Sequence, residues 1–95
     1  MSDELSQPEP GTHAFAQFLY DHRDRLPMWT LYQYPDDKFG QYVARLFFTL
    51  PALAPTGFTI ESPELEPVRF RIAAMGFTPM MRHPNDEPQI METWI

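Results

Sequence analysis

The sequence predicts an α+β fold, in which an N-terminal helix precedes a ββαβ core whose antiparallel sheet carries a helix packed on one face. Three observations predict it. Trp29 to Leu50 reads as two aromatic-rich strands around a polar turn. Leu65, Val68, Ile72 and Met75 recur at helical spacing, and the last seven residues, Gln89 to Ile95, include the β-branched and aromatic Ile90, Thr93, Trp94 and Ile95. Ninety-five residues suffice for one core and not for two, and 43% hydrophobic content sets the chain apart from disordered sequences.

Met1 to Gly11 is acidic and aperiodic, so residues 1–11 are expected to be a disordered tail and residues 12–95 a single domain. Thr12 suits an N-cap. Phe15, Phe18, Leu19, His22 and Leu26 then mark one face of a helix of about four turns, which Pro27 stops. That stripe either packs on the sheet or docks onto a partner, including a second copy of the chain through Phe15, Phe18 and Leu19.

In the hairpin, Trp29 to Tyr34 concentrates aromatics, and Tyr42, Ala44, Leu46, Phe48 and Leu50 alternate as a core face, with Arg45 and Thr49 on the other. Pro35 to Gly40 supplies the reversal. Pro51 to Gly57 reads as a Pro-rich link, after which Phe58 and Ile60 either form a short strand or tuck into the core. Ser62, Pro63 and Glu64 make a helix start, and Gly76 with Phe77 a Schellman-type stop, giving a helix from about Pro63 to Met75. Pro67 interrupts that pattern and moves the expected ordered start toward Glu66. Thr78 to His83 is a weak extended segment, Pro84 to Pro88 a turn, and Gln89 to Ile95 a strand expected beside the hairpin.

Composition narrows the function. With no Cys, disulfides, thiolate metal sites and cysteine nucleophiles are excluded. The net charge of −6 disfavours direct binding to nucleic acid, and is read as a solubility device or as a surface that meets a basic partner. The start lacks a basic, apolar leader and no stretch approaches the roughly 18 apolar residues of a membrane span, so a cytoplasmic protein without a membrane role is expected. His13, His22 and His83 lack ligand spacing, so no metal and no cofactor is expected.

Two groups of residues stand out as candidate binding positions. Asp36 and Asp37 with Asp86 and Glu87 form two acidic turns that, if brought to one end of the sheet, would pair carboxylates for acid-base work or a hard cation. Solvated turn residues are the plainer reading. Arg45 and Glu92 would form a cross-strand ion pair if the last strand lay beside the second. Trp29, Tyr32, Tyr34 and Trp94 add the aromatics that, with Arg, commonly anchor interfaces.

Several of these residues also carry a resemblance. Trp29-Thr30-Leu31-Tyr32, Pro35-Asp36-Asp37, Tyr42-Val43-Ala44-Arg45 and the close from Asp86 through Glu92 to Trp94-Ile95 resemble a group of small uncharacterised bacterial and phage-type proteins. The resemblance spans about Met28 to Ile95, departs at Gln33 and at Lys38-Phe39, and implies the ββαβ order with residues 28–95 as core and residues 12–27 as an added helix. The group brings no activity with it. The expected function is a non-enzymatic protein-interaction module. The alternatives are an acidic mobile-element or phage-type inhibitor that mimics nucleic acid in a basic groove, and a small metal-dependent or acid-base hydrolase.

Overall fold

The computed structural model describes residues 9–34, 38–80 and 90–95. It is a mixed α+β fold. Helix α1 (His13–Asp21) leads through a 3-10 turn (Arg23–Arg25) into strands β1 (Pro27–Gln33), β2 (Tyr42–Phe48) and β3 (Ala54–Ser62), followed by helix α2 (Leu65–Ala74) and strands β4 (Pro79–Met80) and β5 (Ile90–Trp94). The five strands form one antiparallel sheet in the order β3-β2-β1-β5-β4.

Alternation sets the sheet's inner face. Ala44 and Leu46 of β2 meet Trp29 and Leu31 of β1, Phe58 and Ile60 of β3 and Trp94 of β5, and the layer is closed by Phe15 from α1 and Val68 and Ile72 from α2. Phe15 is wholly buried, its ring edge-on to Phe58 at 4.9 Å, and Phe18 and Leu19 pack against the same cluster. In this structure the α1 stripe therefore serves the chain's own core. Phe48 lies under Phe18 and His22, whereas Leu50, beyond the end of β2, is exposed.

Helix ends follow local chemistry. The Thr12 hydroxyl accepts the Phe15 N–H, capping α1. That helix stops at Asp21, short of Pro27, because the His22 N–H is shared between the Phe18 and Leu19 carbonyls and the chain tightens into the 3-10 turn. Pro67 falls in the first turn of α2, where backbone N–H groups have no intrahelical acceptor, so it costs the helix nothing. Gly76, at φ +94°, ends α2.

Two strands lie beyond the ββαβ order, where the sequence predicts a short strand or core tuck for Phe58 and Ile60 and a weak extended segment from Thr78 to His83. The Pro- and Gly-bearing stretch before Phe58 is part of a nine-residue strand, because a bulge absorbs it: Gly57 takes φ +88°, and the Thr56 hydroxyl donates to the Leu46 carbonyl in place of a ladder bond. Thr78 exchanges two backbone bonds with Ile95 at 2.7 and 2.9 Å just ahead of β4. Among the described residues no helix is long and apolar enough to cross a membrane.

Candidate functional site

Among the described residues the expected contact residues are dispersed. Trp29 and Trp94 are buried, at 0% and 6% exposure, and supply core area in place of a surface patch. Trp29 stands against Phe15 and Phe77, and its indole N–H has no hydrogen-bond partner among the described residues. Strand β5 pairs with β1, not β2. Register places Glu92 opposite Leu31 and Arg45 opposite Thr30, and since Thr30 and Leu31 point to opposite faces, Arg45 and Glu92 do too. The expected cross-strand ion pair between them is thereby corrected. Arg45 lies over the Tyr32 ring at 5.2 Å on the face away from the helices, and Tyr34 packs on Tyr42 with centroids 5.3 Å apart. Asp36, Asp37, Asp86 and Glu87 lie outside the described residues.

Glu92 has a different partner, Arg69 of α2, which sequence reasoning passed over. The guanidinium clasps both carboxylate oxygens of Glu92, with Nε 3.3 Å from Oε1 and Nη2 on Oε2, while Nη1 reaches Glu66 at 2.9 Å. Trp94 donates its indole N–H to the same Glu92 oxygen at 3.0 Å. The bond to Glu92 raises the Arg69 pKa above its ordinary value, against the opposing effect of burial. The Tyr42 phenol is also pushed up, chiefly by its hydrogen bond with Tyr34. Glu92 thus accepts three donors and ties α2 to β5; as a saturated carboxylate it is poorly placed to serve as a base. Among the described residues no group of three His, Asp or Glu side chains is arranged to hold a metal ion.

A second region is apolar and open. Leu19 and Tyr20 of α1, Leu26, Met75, Phe77 and Ile95 line a groove of about 570 Å³ between the end of α1 and the end of α2. Tyr20, Leu26 and Ile95 are 60%, 55% and 56% exposed. Leu26 sits in the left-handed region at φ 48°, unusual for a residue with a γ-branched side chain. It is fixed there from both sides: its N–H bonds the Arg23 carbonyl, and its carbonyl accepts the Thr49 hydroxyl at 2.9 Å. The neighbouring Arg25 carbonyl takes the N–H groups of Thr49 and Leu50. Arg23 closes one wall, donating to the Tyr20 carbonyl with its guanidinium 4.0 Å from the centre of the Tyr20 ring. In the sequence Leu26 is simply the last member of a helical stripe and Ile95 the end of a strand, so only the unwinding after Asp21 makes them neighbours.

Comparisons with protein-family models, with curated proteins and with solved structures give no match to this chain.

Proposed function

We propose that the protein is a non-enzymatic protein-interaction module that receives an apolar side chain of a partner protein in the groove between α1 and the end of α2. One observation carries the reading: Leu26 is held in a backbone conformation costing about 1–2 kcal/mol for an L-residue, and the side chain so placed is exposed beside Tyr20 and Ile95. Strain that leaves an apolar side chain more than half exposed gains little packing in the free chain, and burial of that side chain by another surface offsets its cost. The aromatic-rich composition agrees with an interface anchored on Tyr and flanked by Arg23.

Affinity capture from the source cell tests this, with wild type compared against Leu26→Asp, Tyr20→Asp and a distant control, Phe39→Asp, at a residue 93% exposed. A partner retained by wild type and by the control, lost from both groove variants, and still held at about 500 mM salt is the expected result. Equal capture by the groove variants overturns the reading. Capture abolished by salt alone points to the acidic surface and the inhibitor reading instead.

A further inference from the structure

The sheet has two unlike edges. Among the described residues strand β4 is two residues long, and it begins with Pro79, which discourages pairing with another chain. Strand β3 is nine residues long. Pro55 and the bulge at Thr56 and Gly57 blunt its first half, and Pro63 follows its end, which leaves Thr59-Ile60-Glu61-Ser62 as the edge segment in regular register with β2.

The ladder fixes which groups on that segment point outward. The Tyr34 N–H bonds the Gln41 carbonyl, so odd-numbered residues of β2 turn their backbone groups to β1 and even-numbered ones to β3. The Leu46 carbonyl, taken by Thr56 of β3, agrees. Ile60 and Ser62, opposite Ala44 and Tyr42, therefore bond β2, while the N–H and C=O groups of Thr59 and Glu61 face away from the sheet. Among the described residues no backbone bond reaches these four groups, and both residues are exposed.

We propose that this edge pairs with the same edge of a second copy, antiparallel about a two-fold axis at Ile60. The proposal goes beyond the groove reading and uses a different surface. Three features favour a second copy as the occupant. In that register Thr59 meets the partner's Glu61 on both sides of the axis, so the four outward backbone groups of each copy close four bonds. Like charges are not opposed: Glu61 faces a Thr, and its carboxylate is already 3.3 Å from the Lys38 ammonium. The third feature is charge complementarity. Arg45 stands opposite Thr59 within the sheet, so the row across the junction reads Arg45, Thr59 and the partner's Glu61, all on one face. Only a small side chain separates the cation from the carboxylate. A single strand pair buries less than the roughly 1,600 Å² of a standard interface, so the dimer dissociates on dilution.

Sedimentation equilibrium of the full chain up to about 1 mM, a range that reaches weak dimers, tests the proposal. Amide exchange read residue by residue on the same samples gives the second measurement. A reversible dimer is expected, with the Thr59 and Glu61 amides becoming protected as concentration rises. Thr59→Pro deletes an outward N–H without touching the β2 ladder, and Glu61→Lys sets like charge beside Arg45; each is expected to raise Kd by more than about tenfold. Circular dichroism confirms folding, and should Thr59→Pro fail to fold, Glu61→Lys and the wild-type exchange data decide. A monomer at every concentration overturns the proposal, as does a dimer without protection at Thr59 and Glu61. A dimer broken by Leu26→Asp and untouched by Glu61→Lys overturns it too, and assigns the contact to the groove.

Discussion

The Arg69, Glu92 and Trp94 cluster and the Leu26 groove are two of the regions where α2 or its end meets the rest of the chain, and they differ in how completely their chemistry is used. In the cluster the Glu92 carboxylate accepts three donors, and the Arg69 guanidinium bonds two acids. The groove is poorer in functional groups, yet Tyr20, Leu26 and Ile95 are exposed in it and the Leu26 backbone is strained. The contrast teaches that the chemically richer region is the structural one. A charge held by several partners is committed to the fold, whereas apolar area left open beside a fixed backbone is available to something outside it.

The largest expected effect removes the support both regions share. Phe15→Ala is expected to cost about 3–5 kcal/mol in urea unfolding, because a wholly buried ring in the centre of the cluster leaves a cavity. A loss under about 1 kcal/mol would mean that residues 28–95 form a core without α1, breaking the idea of a common layer.

Next is the cluster itself. Glu92→Ala leaves the Trp94 N–H without its acceptor and Arg69 with only the exposed Glu66, and is expected to lower stability by about 1–3 kcal/mol while capture through the groove stays as in wild type. If capture falls with a stable fold, the cluster is part of the contact and the division between the two regions fails.

Leu26→Gly is expected to act in the opposite way. Relief of the left-handed strain offsets the added freedom of the unfolded chain, so stability should change by less than about 1 kcal/mol while partner capture is lost. Equal losses of stability and binding would show that Leu26 is held for packing alone.

The smallest effect is electrostatic. Tyr34→Phe removes the hydrogen bond that keeps the Tyr42 phenol protonated, so the Tyr42 titration, followed by phenolate absorbance, should move down. The sign for the wild type follows from the raised folded value: the contribution is complete below the unfolded tyrosine pKa and is lost as pH rises through the folded one. An unchanged titration would show that another neighbour sets it.

The sequence carried the mixed α+β class through simple periodicity, the alternation of Ala44 and Leu46 and the helical spacing of Val68 and Ile72. Strand β3 was harder to read because its turn-like residues, Pro55, Thr56 and Gly57, form a bulge whose missing bond a side chain replaces. Trp29 and Trp94 misled as surface candidates because composition says what an aromatic does at an interface and nothing of which side of the sheet it occupies. Arg69 was hidden for the reverse reason: on a helix an Arg beside an acid looks solvated, and only the register of β5 carries Glu92 beneath it. The groove depends on where α1 unwinds, and a regular apolar spacing carries no mark of that point.

The buried indole of Trp29, without a hydrogen-bond partner among the described residues, gives the molecule an optical reporter. Its ring is edge-on to Phe77, a wall of the groove, with centroids 6.3 Å apart, and it is wholly screened from water. Trp94, bonded to the Glu92 carboxylate, has a more polar setting. In a Trp94→Phe background the remaining emission comes from a dry site one ring away from the proposed contact. A guest that shifts Phe77 would alter the spectrum without any attached dye, so filling of the groove can be followed in real time by the light the protein itself emits.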